Sequence, residues 1–397
     1  MAQPNDPELA RGGDVTMKTD GSFDVVVIGA GVLGAFHAYF ACRRGLRTLL
    51  IERGDGPNDA SVRNFGTIVP GAMTPGEWHR RALETVRIYR ALATELPPFL
   101  YPGGTQYLAL TPGERAVLEE FARIGPARGY ACRLLDVRES LSVKPSIDAE
   151  HCLASLHFPD DLRVDPRKLF AGMLPWMART LGCKYLPRTT ATGVESDARE
   201  CIVSTAAGER YKCRQVFVCT GADFRTLFPR LFGMSGLTRC RLQMMRTRPH
   251  ATRLPTTLAS GLSLRWYPSF RMCQSWQGLR DEPIDPELER RGIHVLIVQD
   301  EDGRLVVGDS HEYADGDFPP GLDAVTEELI LREARKMVRL PENPVAERWH
   351  GVYSLQRDQP VYIAAPHPNV RIVTGIGGKG MTTGPALARE SIELLPS

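Results

Sequence analysis

The feature that most constrains this chain is a run of glycines set between a strand and a helix. Phe23-Asp-Val-Val-Val-Ile28 is a short apolar run rich in β-branched residues, which reads as a strand buried on both faces. Gly29-Ala-Gly-Val-Leu-Gly34 follows with no linker, and Ala35–Arg44 reads as a helix stopped by Gly45. Arg47–Ile51 is a second strand, closed by Glu52 and followed by Arg53. A glycine pattern alone is a weak signal, but here every part of a dinucleotide-binding β-α-β unit occurs in its place. Gly29 permits the tight turn, Gly31 lets backbone approach a pyrophosphate, and Gly34 lets helix and strand pack closely. The helix N-terminus, with Val32 and Leu33, faces the anion. Glu52 accepts hydrogen bonds from ribose hydroxyls.

Composition narrows the classes. A length of 397 residues exceeds one compact core and predicts two domains, or one split around another. The balance of 49 Lys+Arg against 47 Asp+Glu gives no electrostatic case for nucleic acid or an anionic membrane as partner. No apolar run reaches the ~20 residues of a membrane span. The nine cysteines are an odd number, with no Cys-x-x-Cys and no zinc-spaced histidine. They read as reduced thiols of a cytoplasmic protein with no metal site. Residues 1–21 read as a polar, disordered leader, not a signal peptide.

Further along, helices are expected over 77–96, Pro112–Ile124 and Arg167–Leu181, and a strand over Thr105–Leu110. Arg214–Cys219 reads as a third buried strand running into Thr220-Gly221-Ala222. After Gly236 the pattern becomes alternating. A strand is expected over Leu262–Phe270, a hairpin over His294–Gln299 and Arg304–Val307, then a helix over Thr326–Val338. Val370–Thr374 reads as a last parallel strand, followed by Gly375-Ile-Gly-Gly-Lys-Gly380 and a helix over Gly384–Leu395. This order predicts a discontinuous α/β Rossmann-type domain over 22–100, 150–236 and 345–397. An α+β substrate domain on a mostly antiparallel sheet, over 101–149 and 237–344, is inserted in it.

Four segments extend the first fingerprint: Ala60-Ser-Val-Arg-Asn-Phe-Gly66, Val216-Phe-Val-Cys-Thr-Gly-Ala222, Gly303-Arg-Leu-Val-Val-Gly-Asp-Ser-His311 and Thr374-Gly-Ile-Gly-Gly-Lys-Gly-Met-Thr-Thr-Gly384. With them the chain resembles the D-amino-acid oxidase superfamily of flavoproteins, in its glycine oxidase and sarcosine oxidase branch, from about residue 23 to 395. The resemblance implies FAD. Ser61, Arg63, Asn64, Phe65 and Gly66 would lie along the flavin, and Thr220 and Gly221 beside the adenosine and pyrophosphate. Gly375, Gly377, Gly378, Lys379, Gly380, Met381 and Thr382 would meet the pyrimidine end, where backbone N–H groups stabilise negative charge. The last cysteine, Cys273, stands well before that segment, so non-covalent FAD is implied. So is the reaction: hydride leaves the carbon beside a neutral amine for flavin N5, and the imine hydrolyses. Oxygen or an electron carrier reoxidises the flavin.

The substrate's other end is the open question. The amino-acid oxidases hold a carboxylate with an Arg in the C-terminal flavin loop, whereas here the loop carries Lys379 and no Arg. Alternation over Leu264–Arg271 would place Arg265, Tyr267 and Arg271 on one strand face, a set suited to a dianion. His311 and Tyr313 follow the flavin-facing strand, and Arg348 and Tyr353 precede the last ones. Lys379 and His311 are the candidates for a direct part in the chemistry. Ala60–Gly66, Gly308-Asp-Ser-His-Glu-Tyr313 and Glu347-Arg-Trp-His-Gly-Val-Tyr353 are similar to FAD oxidoreductases associated with bacterial aminophosphonate breakdown. The resemblance implies a small anionic amine, 2-aminoethylphosphonate or its N-methyl derivative, converted to phosphonoacetaldehyde with hydrogen peroxide formed on reoxidation. A glycine- or sarcosine-type oxidase, an amine dehydrogenase with another acceptor and a flavin-binding protein without turnover stay open, as does the oligomeric state.

Overall fold

β1 (Phe23–Ile28) lies at the centre of an eight-stranded sheet, in parallel pairing with β2 (Thr48–Ile51) on one side and the Arg210–Val218 strand on the other. The computed structural model describes residues 22–143, 151–197, 199–250 and 253–396; the expected leader, 1–21, and residues 144–149 of the expected inserted domain lie outside the described residues. Both faces of β1 are covered. Val25 and Val27 pack under the helices, while Val26 and Ile28 face the opposite layer, which explains the unbroken apolar run. Val370–Thr374 adds in parallel beside Arg210–Val218, so the last strand of the chain completes the first sheet. The helix α1 (Val32–Arg43) packs against the C-terminal helix, Gly380–Glu393, beneath that sheet.

The second sheet has nine strands around the long Leu237–Pro249 strand. It pairs antiparallel with Arg304–Gly308, Glu312–Ala314 and Val345–Gln356. The sheet continues through Leu296–Gln299 and Thr257–Ala259 to Thr105–Ala109, in a parallel pairing, then to Ala154–Phe158 and Arg133–Leu135. The α/β portion and the mostly antiparallel portion are thus both present. The strands Ala154–Phe158 and Val345–Gln356, within segments expected with the nucleotide-binding portion, hydrogen-bond into the second sheet.

Helices form at Glu77–Leu92, Pro112–Ile124, Pro166–Thr180 and Ala324–Arg335, within a few residues of the expected spans. Thr111 and Glu114 form a reciprocal capping box at the second of these. The expected strand over Leu262–Phe270 is absent. Ser263–Trp266 is a short helical turn, and Pro268–Met272 a 3-10 turn that starts at Pro268, a residue with no N–H to give a ladder. The C-terminal helix begins at Gly380, four residues earlier than expected. No described helix is long and apolar enough to cross a membrane, and no disulfide joins the nine cysteines.

Candidate active site

The start of α1 is built by contacts that exclude larger residues. Gly29 has φ +98°, and a Cβ there would stand 2.4 Å from the Cys219 carbonyl oxygen. A Cβ at Gly34 would stand 1.8 Å from the Gly29 carbonyl oxygen, so helix and turn touch through that position. Around this turn the side chains are fixed. Glu52 is buried; its Oε2 accepts from the Ala30 N–H at 2.8 Å and its Oε1 from the Gly54 N–H at 2.8 Å. Ser61 Oγ accepts from the Val32 N–H at 2.9 Å, placing a hydroxyl at the positive end of the helix. The loop after Ser61 shapes itself: Asn64 Nδ2 donates to the Ala60 carbonyl, its Oδ1 accepts from the Gly66 N–H, and Arg63 Nε donates to the Asn58 carbonyl.

These groups open on one cavity of about 860 Å³, towards the upper end of the ~300–1,000 Å³ usual for small-molecule and cofactor sites. Of the residues expected around a cofactor, Gly29, Gly31, Val32, Leu33, Glu52, Arg53, Ser61, Arg63, Asn64 and Phe65 line it. So do Thr220, Gly221, Gly375, Gly377, Gly378, Lys379, Gly380, Met381 and Thr382, from the other two loops. Gly34 and Gly66 do not. Gly34 packs α1 on its turn, and Gly66, at φ +72°, sits where a Cβ would be 1.9 Å from the Val164 carbonyl oxygen.

The end beyond Lys379 is lined by aromatic and polar groups: Tyr267, Tyr313, Tyr353 and His311, as expected, with Trp78, Trp266, His294 and Asp309. Lys379 holds its Nζ over the Trp78 ring at 5.3 Å and makes no ion pair among the described residues. Burial pulls its pKa down to about 8. Burial pushes the Tyr267 and Tyr353 hydroxyls far up, so both stay protonated, and takes Tyr313 to about 12. Asp309 is raised to about 6 and His294 is lowered well below its usual value, each mainly by burial.

Three expected substrate residues lie elsewhere. Arg265 donates to the Arg280 carbonyl at 3.1 Å and stands 4.0 Å from Glu282. Arg271 is exposed and stacks over the Trp276 ring at 5.5 Å. Both expectations depended on the strand that helical turns replace. Arg348 pairs with Glu327 on the surface. It and Tyr353 lie on one strand, five residues apart, so they point to opposite faces and only Tyr353 reaches the cavity. Conversely, His294, Asp309, Trp78 and Trp266 line the cavity without being among the expected site residues. Asp309 carried a signal, being a carboxylate two residues after the apolar run Leu305–Val307.

Residues 24–394 match the protein family described as FAD dependent oxidoreductase. Glycine oxidase of Bacillus licheniformis is 23% identical over 384 residues, covering 94% of this chain and 93% of the relative. The crystal structure of glycine oxidase from Geobacillus kaustophilus superposes with a TM-score of 0.76 at 19% identity, covering 95% of this chain and 96% of that one. An FAD-bound L-alpha-glycerophosphate oxidase from Mycoplasma pneumoniae gives 0.75 at 18% identity, covering 94% and 95%. The residues present fit FAD. The anchored Glu52 carboxylate suits the ribose, and the glycine turn at α1 suits the pyrophosphate.

Proposed function

The chain belongs to the FAD-dependent oxidoreductase family, and from that premise we propose that it oxidises a small amine bearing an anionic group. The substrate we infer is 2-aminoethylphosphonate or its N-methyl derivative, giving phosphonoacetaldehyde with ammonia or methylamine. Hydrogen peroxide forms when oxygen is the acceptor. Relatives named glycine oxidase and probable sarcosine oxidase support an amine donor. The observation that carries the anionic group is Lys379, a half-buried ammonium lining the cavity with no carboxylate partner among the described residues. A partly desolvated cation without a counter-charge is disfavoured and is relieved by an anion.

FAD, when bound, supplies a two-electron acceptor for the carbon–hydrogen bond beside nitrogen. The chain's residues position and enclose. Lys379 attracts the anion, and Tyr267 and Tyr353 keep their protons and offer hydrogen bonds to it or to the amine. Trp78 and Trp266 line the cavity and give it apolar wall. Arg265, which would have strengthened a dianion site, lies outside the cavity. Binding of the phosphonate therefore rests on Lys379 with neutral donors. That arrangement would also hold a carboxylate, which keeps glycine and sarcosine as the second reading.

The test compares 2-aminoethylphosphonate, N-methyl-2-aminoethylphosphonate, sarcosine and glycine as substrates, with oxygen and with an electron-accepting dye. The proposal expects the highest kcat/KM for a phosphonate, competitive inhibition by ethylphosphonate, and a raised KM in Lys379→Met. Preferred turnover of sarcosine or glycine, with no inhibition by ethylphosphonate, overturns the phosphonate.

A further inference from the structure

One wall of the cavity holds a built polar cluster. Asp309, His294 and His311 bring a carboxylate oxygen and two ring nitrogens within 4.8 Å of one another. The Asp309 N–H donates to the His294 carbonyl at 3.1 Å. His294 Nδ1 stands 3.2 Å from Ser263 Oγ, and His311 Nδ1 stands 2.8 Å from the Gly292 carbonyl oxygen. The two imidazoles stack at 5.1 Å, and Trp266 stacks on His311 at 4.9 Å. Each ring is thus held from behind, as preorganised functional side chains are.

Asp309 is the member with an unsatisfied oxygen. It is 5% exposed, and its Oδ1 makes no hydrogen bond. His294 Nε2, at 3.9 Å, is too far to donate to it. The other titratable groups that feel its charge are His311, the Tyr267, Tyr313 and Tyr353 hydroxyls and the Cys240 thiol, none of them a lysine or arginine. A carboxylate so placed, on the wall of a cavity, keeps one oxygen with no donor to offset its desolvation.

We propose that Asp309 receives the ammonium group of the substrate and takes its proton, with His294 and His311 as the polar walls that position the carboxylate. One N–H bond of the ammonium breaks and an O–H bond forms on Asp309. The electron pair stays on nitrogen, and the neutral amine that hydride loss requires is left. Nothing is oxidised or reduced in this step. The inference rests on the amine-oxidation reading and extends it: the two charges of a zwitterionic substrate go to different groups, the anion to Lys379 and the ammonium to Asp309. Burial supports the assignment. With its carboxyl raised to about 6, Asp309 is ionised at neutral pH yet basic enough to hold a proton, while neutral His294 supplies no competing charge.

The experiment is anaerobic reduction of the FAD-loaded enzyme by the four amines named above, followed by stopped flow from about pH 5 to about pH 10, for wild type, Asp309→Asn and Asp309→Glu. In the wild type the reduction efficiency rises through about pH 6. In Asp309→Asn it falls by about a hundredfold near neutrality and recovers as the pH approaches the amine's own pKa, because solvent then supplies the neutral amine. Asp309→Glu restores part of the loss. A wild-type rate and profile in Asp309→Asn overturns the proposal, as does a loss that high pH leaves uncorrected in a variant with full FAD content. Should Asp309→Asn not fold, absence of an ionisation near 6 in the wild-type profile overturns it. A stoichiometric divalent metal, lost with activity in His294→Ala, overturns it in favour of a metal site. Reduction by sarcosine or glycine alone removes the phosphonate and leaves the pH profile to decide on Asp309. Reduction by none of the four removes the amine reading and Asp309's role together.

Discussion

Replacing Lys379 by Met is expected to stabilise the FAD-free protein while weakening its function. The Lys379 pKa falls from 10.5 to about 8 on folding because burial penalises the ammonium. Between those values the unfolded chain binds more protons than the native one, so stability rises with pH across that window and is lowest below about 8. At about 1.4 kcal/mol per unit, the native ammonium costs about 3 kcal/mol at pH 7, and about 2 kcal/mol once its partial exposure is allowed for. The cost shrinks to about 1 kcal/mol at pH 9.5, where the folded-state lysine is already neutral. Methionine fills similar space with no charge. Urea unfolding of FAD-free wild type and Lys379→Met at the two pH values reads the difference directly. The variant should be more stable by about 2–3 kcal/mol at pH 7, with a gap that narrows at pH 9.5, and should oxidise amines with a raised KM. Equal stabilities at pH 7, or a gap unchanged by pH, would refute the claim that Lys379 is a partly desolvated cation without a counter-charge.

Other expectations follow from the same geometry. Glu52→Gln removes the charge from the anchored carboxylate and should weaken FAD about ten- to a hundredfold, read by equilibrium dialysis, with the fold intact by circular dichroism. Gly34→Ala forces a methyl to 1.8 Å from the Gly29 carbonyl oxygen and should give insoluble or FAD-free protein. Arg265→Ala, Arg271→Ala and Arg348→Ala should leave kcat/KM within about twofold, since all three lie outside the cavity; a large loss in any of them would mean that the site is misassigned. Heat or acid denaturation should release the whole flavin complement into the supernatant, and flavin retained on the precipitate would contradict non-covalent attachment.

The parts of the fold governed by local rules were legible in the sequence. The β1 run, buried on both faces, and the glycine turn after it have one stable arrangement, and the Val370–Thr374 strand forms over the expected residues. Failure came where a short alternation stood in for a strand. Leu264–Arg271 alternates, yet Pro268 cannot donate to a ladder, and the segment folds into two helical turns that bury Leu264 and Phe270 in the second core. The arginines expected from that strand left the site with it. The pairing of His294 with Asp309 was illegible for another reason. The two lie fifteen positions apart and meet only because antiparallel pairing of Leu296–Gln299 with Arg304–Gly308 brings the strand ends together. Lys379 was visible because it sits in a glycine loop whose geometry is fixed locally by Gly375 at φ +66° and Gly377 at φ +67°.

The central claim, an FAD site facing an anion-bearing amine, is tested most directly by one anaerobic spectrum of the purified protein before and after addition of 2-aminoethylphosphonate. The flavin band should bleach on addition and return when an electron acceptor is admitted. A band untouched by 2-aminoethylphosphonate and its N-methyl derivative but bleached by glycine or sarcosine would contradict the anion assignment, and a band that no amine bleaches would contradict amine oxidation itself.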